Sequence, residues 1–120
     1  MPARNHSLRE RLPRSREITI TVTGRKSGRA ISIPVWFVSD DATLYLLPVQ
    51  GSDTQWYKNL LENPTIRVAT RGVEAEMKVS PIADAQKVSS VVEKFREKYG
   101  ASDVKKYYSK FDVAVLADIG

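Results

Sequence analysis

The 120-residue chain has no cysteine and a single histidine, His6. The first absence excludes disulfides and thiolate–metal sites. The second argues against Ser-His-Asp and Cys-His hydrolases, which need an oriented imidazole beside the nucleophile. A histidine-rich metal site is excluded on the same ground, and carboxylates alone favour only hard ions. No apolar run approaches the roughly 20 residues needed to span a bilayer. The opening MPARNHSLRERLPRSR lacks the apolar stretch of a secretory signal, so a cytoplasmic protein is expected. What remains for an enzyme is chemistry carried by an organic cofactor, with the protein supplying binding and orientation.

What is present is ordinary in amount and uneven in placement. The hydrophobic fraction is 42% and the charged fraction 28%, and the length suits one domain with one main core. The net charge of +5 is concentrated at one end. Residues 1–30 hold eight Arg/Lys against two Glu, whereas residues 31–120 hold eleven basic and twelve acidic side chains. Such a field attracts polyanions: nucleic acid, anionic lipid or a phosphorylated ligand. Exposed aromatics are not interleaved with these cations, which argues against single-strand nucleic acid.

Residues 1–15 read as a flexible basic segment in which Leu8 and Leu12 form a helical turn but no core, with a single domain over 16–120. EITITVT alternates apolar and polar residues at the period of a half-buried strand. GRKSGR is a turn, and AISIPVWFV is a strand apolar enough to be covered on both sides. TLYLLPV is a third strand with two apolar faces. TQWYKNLLEN is a short helix capped by Ser52 or Asp53 and stopped by Pro64. TIRVATR and VEAEMKVSP form a hairpin turning at Arg71-Gly72. Val88, Val91, Val92, Phe95 and Tyr99 share a helical stripe that Gly100 ends. A second short helix, capped by Ser102, runs to Ser109, and FDVAVLADI is the last strand. The expected fold is α+β: a small antiparallel barrel of about six strands with a few flanking helices.

Three segments could carry chemistry. In Gly24–Arg29, two glycines bracket three cations, an arrangement suited to a phosphate or carboxylate, although a solvated hairpin tip explains it as well. In Pro48–Ser52, a strand leads into a helix whose first amides favour an anion, although a plain connection would look the same. Trp36, Trp56, Tyr57, Tyr107 and Tyr108 could wall a flat heterocycle or simply fill the core. The pairs Asp40-Asp41 and Glu74/Glu76 read as a turn and a solvated strand face.

Thr-Gly-Arg-Lys-Ser-Gly-Arg (23–29), Pro-Val-Trp-Phe-Val (34–38) and Trp-Tyr-Lys-Asn-Leu with Asn63-Pro64 occur here in that order. Together they resemble the deazaflavin-dependent nitroreductase family of split β-barrel flavin/deazaflavin oxidoreductases, which share the pyridoxamine phosphate oxidase-like fold. The resemblance implies binding of coenzyme F420, with FMN or FAD as alternatives, and hydride transfer to a small electron acceptor such as a quinone, nitroaromatic or enone. It places Arg25, Lys26, Ser27, Gly28 and Arg29 on the anionic part of the cofactor. Leu47, Pro48, Val49 and Gln50 approach its phosphate and ring, and Gln55, Trp56 and Asn59 flank the ring. Trp36, Tyr107 and Tyr108 face the acceptor. It also implies a homodimer, with no catalytic side chain, no metal and no nucleic-acid partner. Val49-Gln50-Gly51 departs from the Ser-Lys-Gly-Gly type of loop common in that family. Two other readings stand beside this one: the same barrel as a flavin reductase or carrier, and a non-enzymatic polyanion or membrane-surface binder using the basic N-terminus.

Overall fold

The structure, a computed structural model, describes Leu8, residues 10–40 and residues 42–119. Its strands are β1 (Ile18–Thr23), β2 (Ala30–Val35), β3 (Phe37–Asp40), β4 (Thr43–Leu46), β5 (Thr65–Thr70), β6 (Val73–Ile82) and β7 (Ala114–Asp118). They form one sheet in the order β2-β1-β5-β6-β7-β4-β3, antiparallel at every pairing. Strands β2 and β3 are consecutive in the chain yet occupy opposite edges, and only Trp36 separates Val35 from Phe37. The sheet must therefore curl until its edges meet at that residue, which makes a split barrel. Seven strands appear rather than about six because the 30–38 run divides at Trp36.

Strand β6 joins the two halves, pairing with β5 over Thr65–Thr70 and with β7 through Val79–Ile82. The alternating positions Ile18, Ile20, Val22, Ile66, Val68, Ala75, Met77, Leu44, Leu46 and Val115 point inward and are buried. Helix α1 (Gln55–Glu62) adds Trp56, Tyr57 and Leu60 to this core. The β5–β6 turn falls on Arg71 (φ 49°) and Gly72 (φ 81°), the left-handed pair that a two-residue hairpin of right-twisted strands requires.

Helices α2 (Ala85–Tyr99) and α3 (Ala101–Tyr107) lie outside the β3-β4-β7 half. Val88, Val91, Val92, Phe95, Tyr99 and Val104 pack there against Trp36, Val38, Tyr45, Ile82 and Leu116. This second layer explains the two apolar faces of β4. It stops short of β2, which corrects the expectation that 30–38 is covered on both sides. As an edge strand beside the split, β2 leaves Ile31 39% exposed and Ile33 and Val35 only half-buried.

Three local expectations change. Residues 1–7 and 9 lie outside the described residues, but Leu8 and Leu12 are fully buried in the barrel core, where the sequence assigned them no core role. Neither Ser52 nor Asp53 caps α1. Both lie in a 3₁₀ turn (Gly51–Asp53), and Thr54 precedes the helix. Gly100 (φ 95°), not Ser102, stands at the start of α3, and this moves the helix two residues earlier. The Asp84 cap of α2 accepts from the Lys87 amide at 3.0 Å.

Candidate functional site

The basic hairpin between β1 and β2 is a closed turn. The Gly24 amide donates to the Arg29 carbonyl (2.8 Å) and the Gly28 amide to the Gly24 carbonyl (2.9 Å). A Cβ on Gly24 would lie 2.7 Å from Ser27 Oγ and 3.2 Å from the Ile31 side chain, so a larger residue there would make the Ser27 hydroxyl turn aside. Arg25 turns back onto α1. Its Nη1 donates to Asn59 Oδ1 (2.7 Å), its Nη2 to Gln55 Oε1 (2.9 Å), and its amide to the same Asn59 oxygen (3.1 Å). These bonds hold the hairpin against the helix turn that carries Trp56. Arg25 is thereby committed to the protein, while Lys26 and Arg29 remain exposed.

Where the barrel edges meet, an apolar cavity of about 460 Å³ opens. Trp36, Leu47, Val49, Trp56, Tyr107 and Tyr108 line it, as do Ile33, Pro34, Val35, Thr54 and Glu17. Trp36 stacks on Tyr99 with centroids 4.2 Å apart and planes 7° from parallel, and meets Tyr107 edge-on at 5.5 Å. A volume of this size with aromatic walls accepts a planar ring system. Burial holds the Tyr108 phenol well above its ordinary pKa, so it is a neutral hydroxyl at physiological pH.

The loop from β4 to α1 is already satisfied within the chain. The Gln50 amide donates to Thr54 Oγ1 (2.8 Å), Gly51 to the Pro48 carbonyl (3.0 Å), Asp53 to Gln50 (3.1 Å) and Thr54 to Gly51 (3.0 Å). The remaining amide, Ser52, donates to Asp112 Oδ1 (2.9 Å), and Ser52 Oγ to Asp112 Oδ2 (2.5 Å). The hydroxyl bond is the main reason the Asp112 carboxyl lies below its ordinary pKa. The chain's own carboxylate thus occupies the position that the sequence offered to a ligand anion. The same segment is tied to the loop again where the Ser109 amide donates to the Val49 carbonyl (2.9 Å).

Residues 9–114 match the family described as an uncharacterized protein conserved in bacteria (DUF2255). The chain belongs to the DUF2255 family. No curated protein matches this DUF2255 chain in sequence. Among solved structures it is similar to an F420-H2 dependent reductase (FDR-A), at 18% identity over 86% of this chain and 94% of that one, with TM-score 0.67. It is also similar to the conserved hypothetical protein Rv2991 from Mycobacterium tuberculosis (16% identity, 93% and 77%, TM-score 0.72). A third likeness is HutZ, the heme storage protein from Vibrio cholerae (12%, 94% and 87%, TM-score 0.69). At these identities the shared property is the fold. It is the small antiparallel split β-barrel expected from the sequence.

The DUF2255 barrel brings some of the sequence-read residues together and separates others. The cavity takes Leu47, Val49, Trp56, Trp36, Tyr107 and Tyr108, while Gln55 and Asn59 bridge it to the hairpin. Lys26, Ser27, Gly28, Arg29, Pro48 and Gln50 do not line it. Glu17, Thr54 and the inner face of β2 were missed, because nothing local marks the last residue before a strand as a cavity wall. Tyr57 is core rather than wall. A planar ring fits the cavity, but the amides of residues 50–54 are not open to its phosphate. Lys26 and Arg29 of the hairpin are exposed, and Lys106, also exposed, lies 5.3 Å over the ring of the cavity-wall residue Tyr107. No cluster of metal-ligating side chains occurs, and no helix is long and apolar enough to cross a membrane, among the described residues.

Proposed function

We propose that this DUF2255 protein is an oxidoreductase that holds a deazaflavin, coenzyme F420, in the apolar cavity, with FMN or FAD as the alternative ring. The observation that carries this reading is the Arg25 clamp, which sets a cationic hairpin against the helix bearing the cavity residue Trp56. One end of the site is charged and the other flat and apolar, as an anionic, planar cofactor requires. When bound, the cofactor supplies the hydride. The residues of the chain do the rest: Trp56 fixes the plane of the ring, Trp36, Tyr107 and Tyr108 face the acceptor, and the apolar lining excludes water from it. A quinone, nitroaromatic or enone is the proposed acceptor. The likeness to the F420-H2 dependent reductase supports the deazaflavin over the flavins. The likeness to the heme storage protein supports the same barrel as a carrier, but a histidine-ligated haem would have only His6 to draw on.

Fluorescence titration with F420, FMN and FAD tests the reading. At least one should bind below about millimolar, and Lys26→Ala should weaken it by about 1–2 kcal/mol if its contact is charge-assisted. No binding by any of the three ends the proposal. An unchanged affinity in Lys26→Ala removes the hairpin from the site. A homodimer formed through the uncovered edge around Ile31 belongs to the same proposal, and sedimentation equilibrium of the purified chain checks it.

A further inference from the structure

Among the described residues the Tyr108 hydroxyl forms no hydrogen bond, although the side chain is only 5% exposed. The Trp56 indole N–H, on an equally buried residue, also has no partner there. No polar side-chain atom sealed away from open space lacks a partner among those residues. Both groups therefore reach open space, and the open space their side chains line is the cavity. Of the other lining hydroxyls, Thr54 Oγ1 accepts from the Gln50 amide (2.8 Å), and Tyr107 is 52% exposed, where water satisfies it.

Three rings hold the Tyr108 phenol in place: Phe95 edge-on at 5.9 Å, Trp36 at 6.1 Å and Phe111 at 6.3 Å. Burial keeps it protonated, so it presents a fixed donor to the cavity. A donor drawn out of bulk water with no protein acceptor is unfavourable until a ligand atom accepts from it. Charge gives no such direction. Glu17 is in the lining, while Lys106 lies over Tyr107 (5.3 Å) and Lys98 over Tyr99 (5.1 Å), so both signs border the acceptor side.

We propose that Tyr108 determines which neutral acceptors the cavity takes, its hydroxyl donating to a carbonyl or nitro oxygen on the edge of a flat ring and so favouring oxygen-bearing rings over hydrocarbons of the same shape. This deepens the oxidoreductase reading and rests on it for the use made of the ring. Binding of the ring itself needs no cofactor.

Fluorescence titration of the full-length chain and its Tyr108→Phe variant with chromone, a planar enone, and naphthalene, its hydrocarbon counterpart, tests the proposal. Tyr108→Phe should weaken chromone about fivefold and leave naphthalene within about twofold, whatever their relative affinities for the parent. The carbonyl stretch of bound chromone should lie at lower frequency in the parent than in the variant. Because the hydroxyl bonds nothing in the protein, the variant should melt no lower than the parent. Equal weakening of both rings, unchanged chromone affinity, or no binding of either ring overturns the proposal. If it fails while F420 or FMN still binds, recognition of the acceptor oxygen alone is lost. If the Tyr108 effect holds and no cofactor binds, the oxidoreductase reading is lost instead.

Discussion

Tyr99 closes the barrel through a single oxygen. Its hydroxyl accepts from the Phe37 amide (3.0 Å) and donates toward the carbonyls of Arg16 (2.7 Å) and Phe37 (2.8 Å), while its ring supports Trp36. Burial raises its pKa to about 12. Tyr99→Phe keeps the stack and strands a buried amide, so urea denaturation should show a loss of about 1–3 kcal/mol. In the sequence Tyr99 was one member of a helical stripe, and nothing there showed its hydroxyl reaching a strand junction 62 residues away. Beside it, Lys98 Nζ donates to the Phe37 carbonyl (2.9 Å), and burial, with Arg16 nearby, lowers its pKa to about 8. A folded-state value below the unfolded one means that the unfolded chain binds the extra proton between about pH 8 and 10.5. Stability should therefore rise with pH across that window, by on the order of 1 kcal/mol after solvent screening. Above pH 10 the raised pKa values of Tyr99 and Tyr108 act the other way, because the unfolded phenols ionise first. Lys98→Met should flatten the rise, as read from urea midpoints between pH 7 and 10.

The β4–α1 loop and the segment before β7 form a latch between two walls of the cavity, since Val49 lies on one side and Tyr107 and Tyr108 on the other. Asp112 is its centre, with Lys110 3.7 Å away and bonded in turn to Asp53 at 3.2 Å. The exposed lysine pairs contribute little. The two Ser52 bonds are the stronger part, because they satisfy an amide and a hydroxyl at once. Gly51 makes room for the carboxylate: its φ is +56°, and a Cβ there would lie 2.1 Å from Asp112 Oδ1. Gly51→Ala should lower the melting temperature more than Asp112→Ala does, since it adds a left-handed strain and expels the carboxylate as well. Equal melting of the two variants would show that the latch does not depend on this close approach. The elements themselves were legible: the alternation of β1, the hairpin at Arg71-Gly72 and the stripe of α2 all lie where their periodicity put them. The latch was not legible. Pro48–Ser52 has the composition of an open anion loop, and its occupant comes from a residue 60 positions later.

On the scale of the whole molecule, charge and core overlap at the N-terminus. The excess of cations made residues 1–15 look like a solvated tail, and composition of that kind hides two leucines four residues apart. Both are 0% exposed and sit in the same cluster as Ile18, Ile20 and Trp56, while Ser15 Oγ, just after them, pairs with Thr70 Oγ1 at 2.8 Å. The described part of the segment therefore covers the barrel core through Leu8 and Leu12, while Glu10 and Arg11 are exposed. Removing it to test polyanion binding would confound lost charge with lost core. Leu8→Ala and Leu12→Ala separate the two, because each keeps every cation. Each should cost about 2–4 kcal/mol through lost burial and the cavity left behind, which is a large share of the 5–15 kcal/mol typical of a domain. Chemical denaturation reads the cost directly. Arg11→Ala, which leaves both leucines in place, should change stability by less than about 1 kcal/mol despite its bond to the Arg71 carbonyl at 3.3 Å. Leucine variants as stable as the parent would return the segment to the status of a solvated tail.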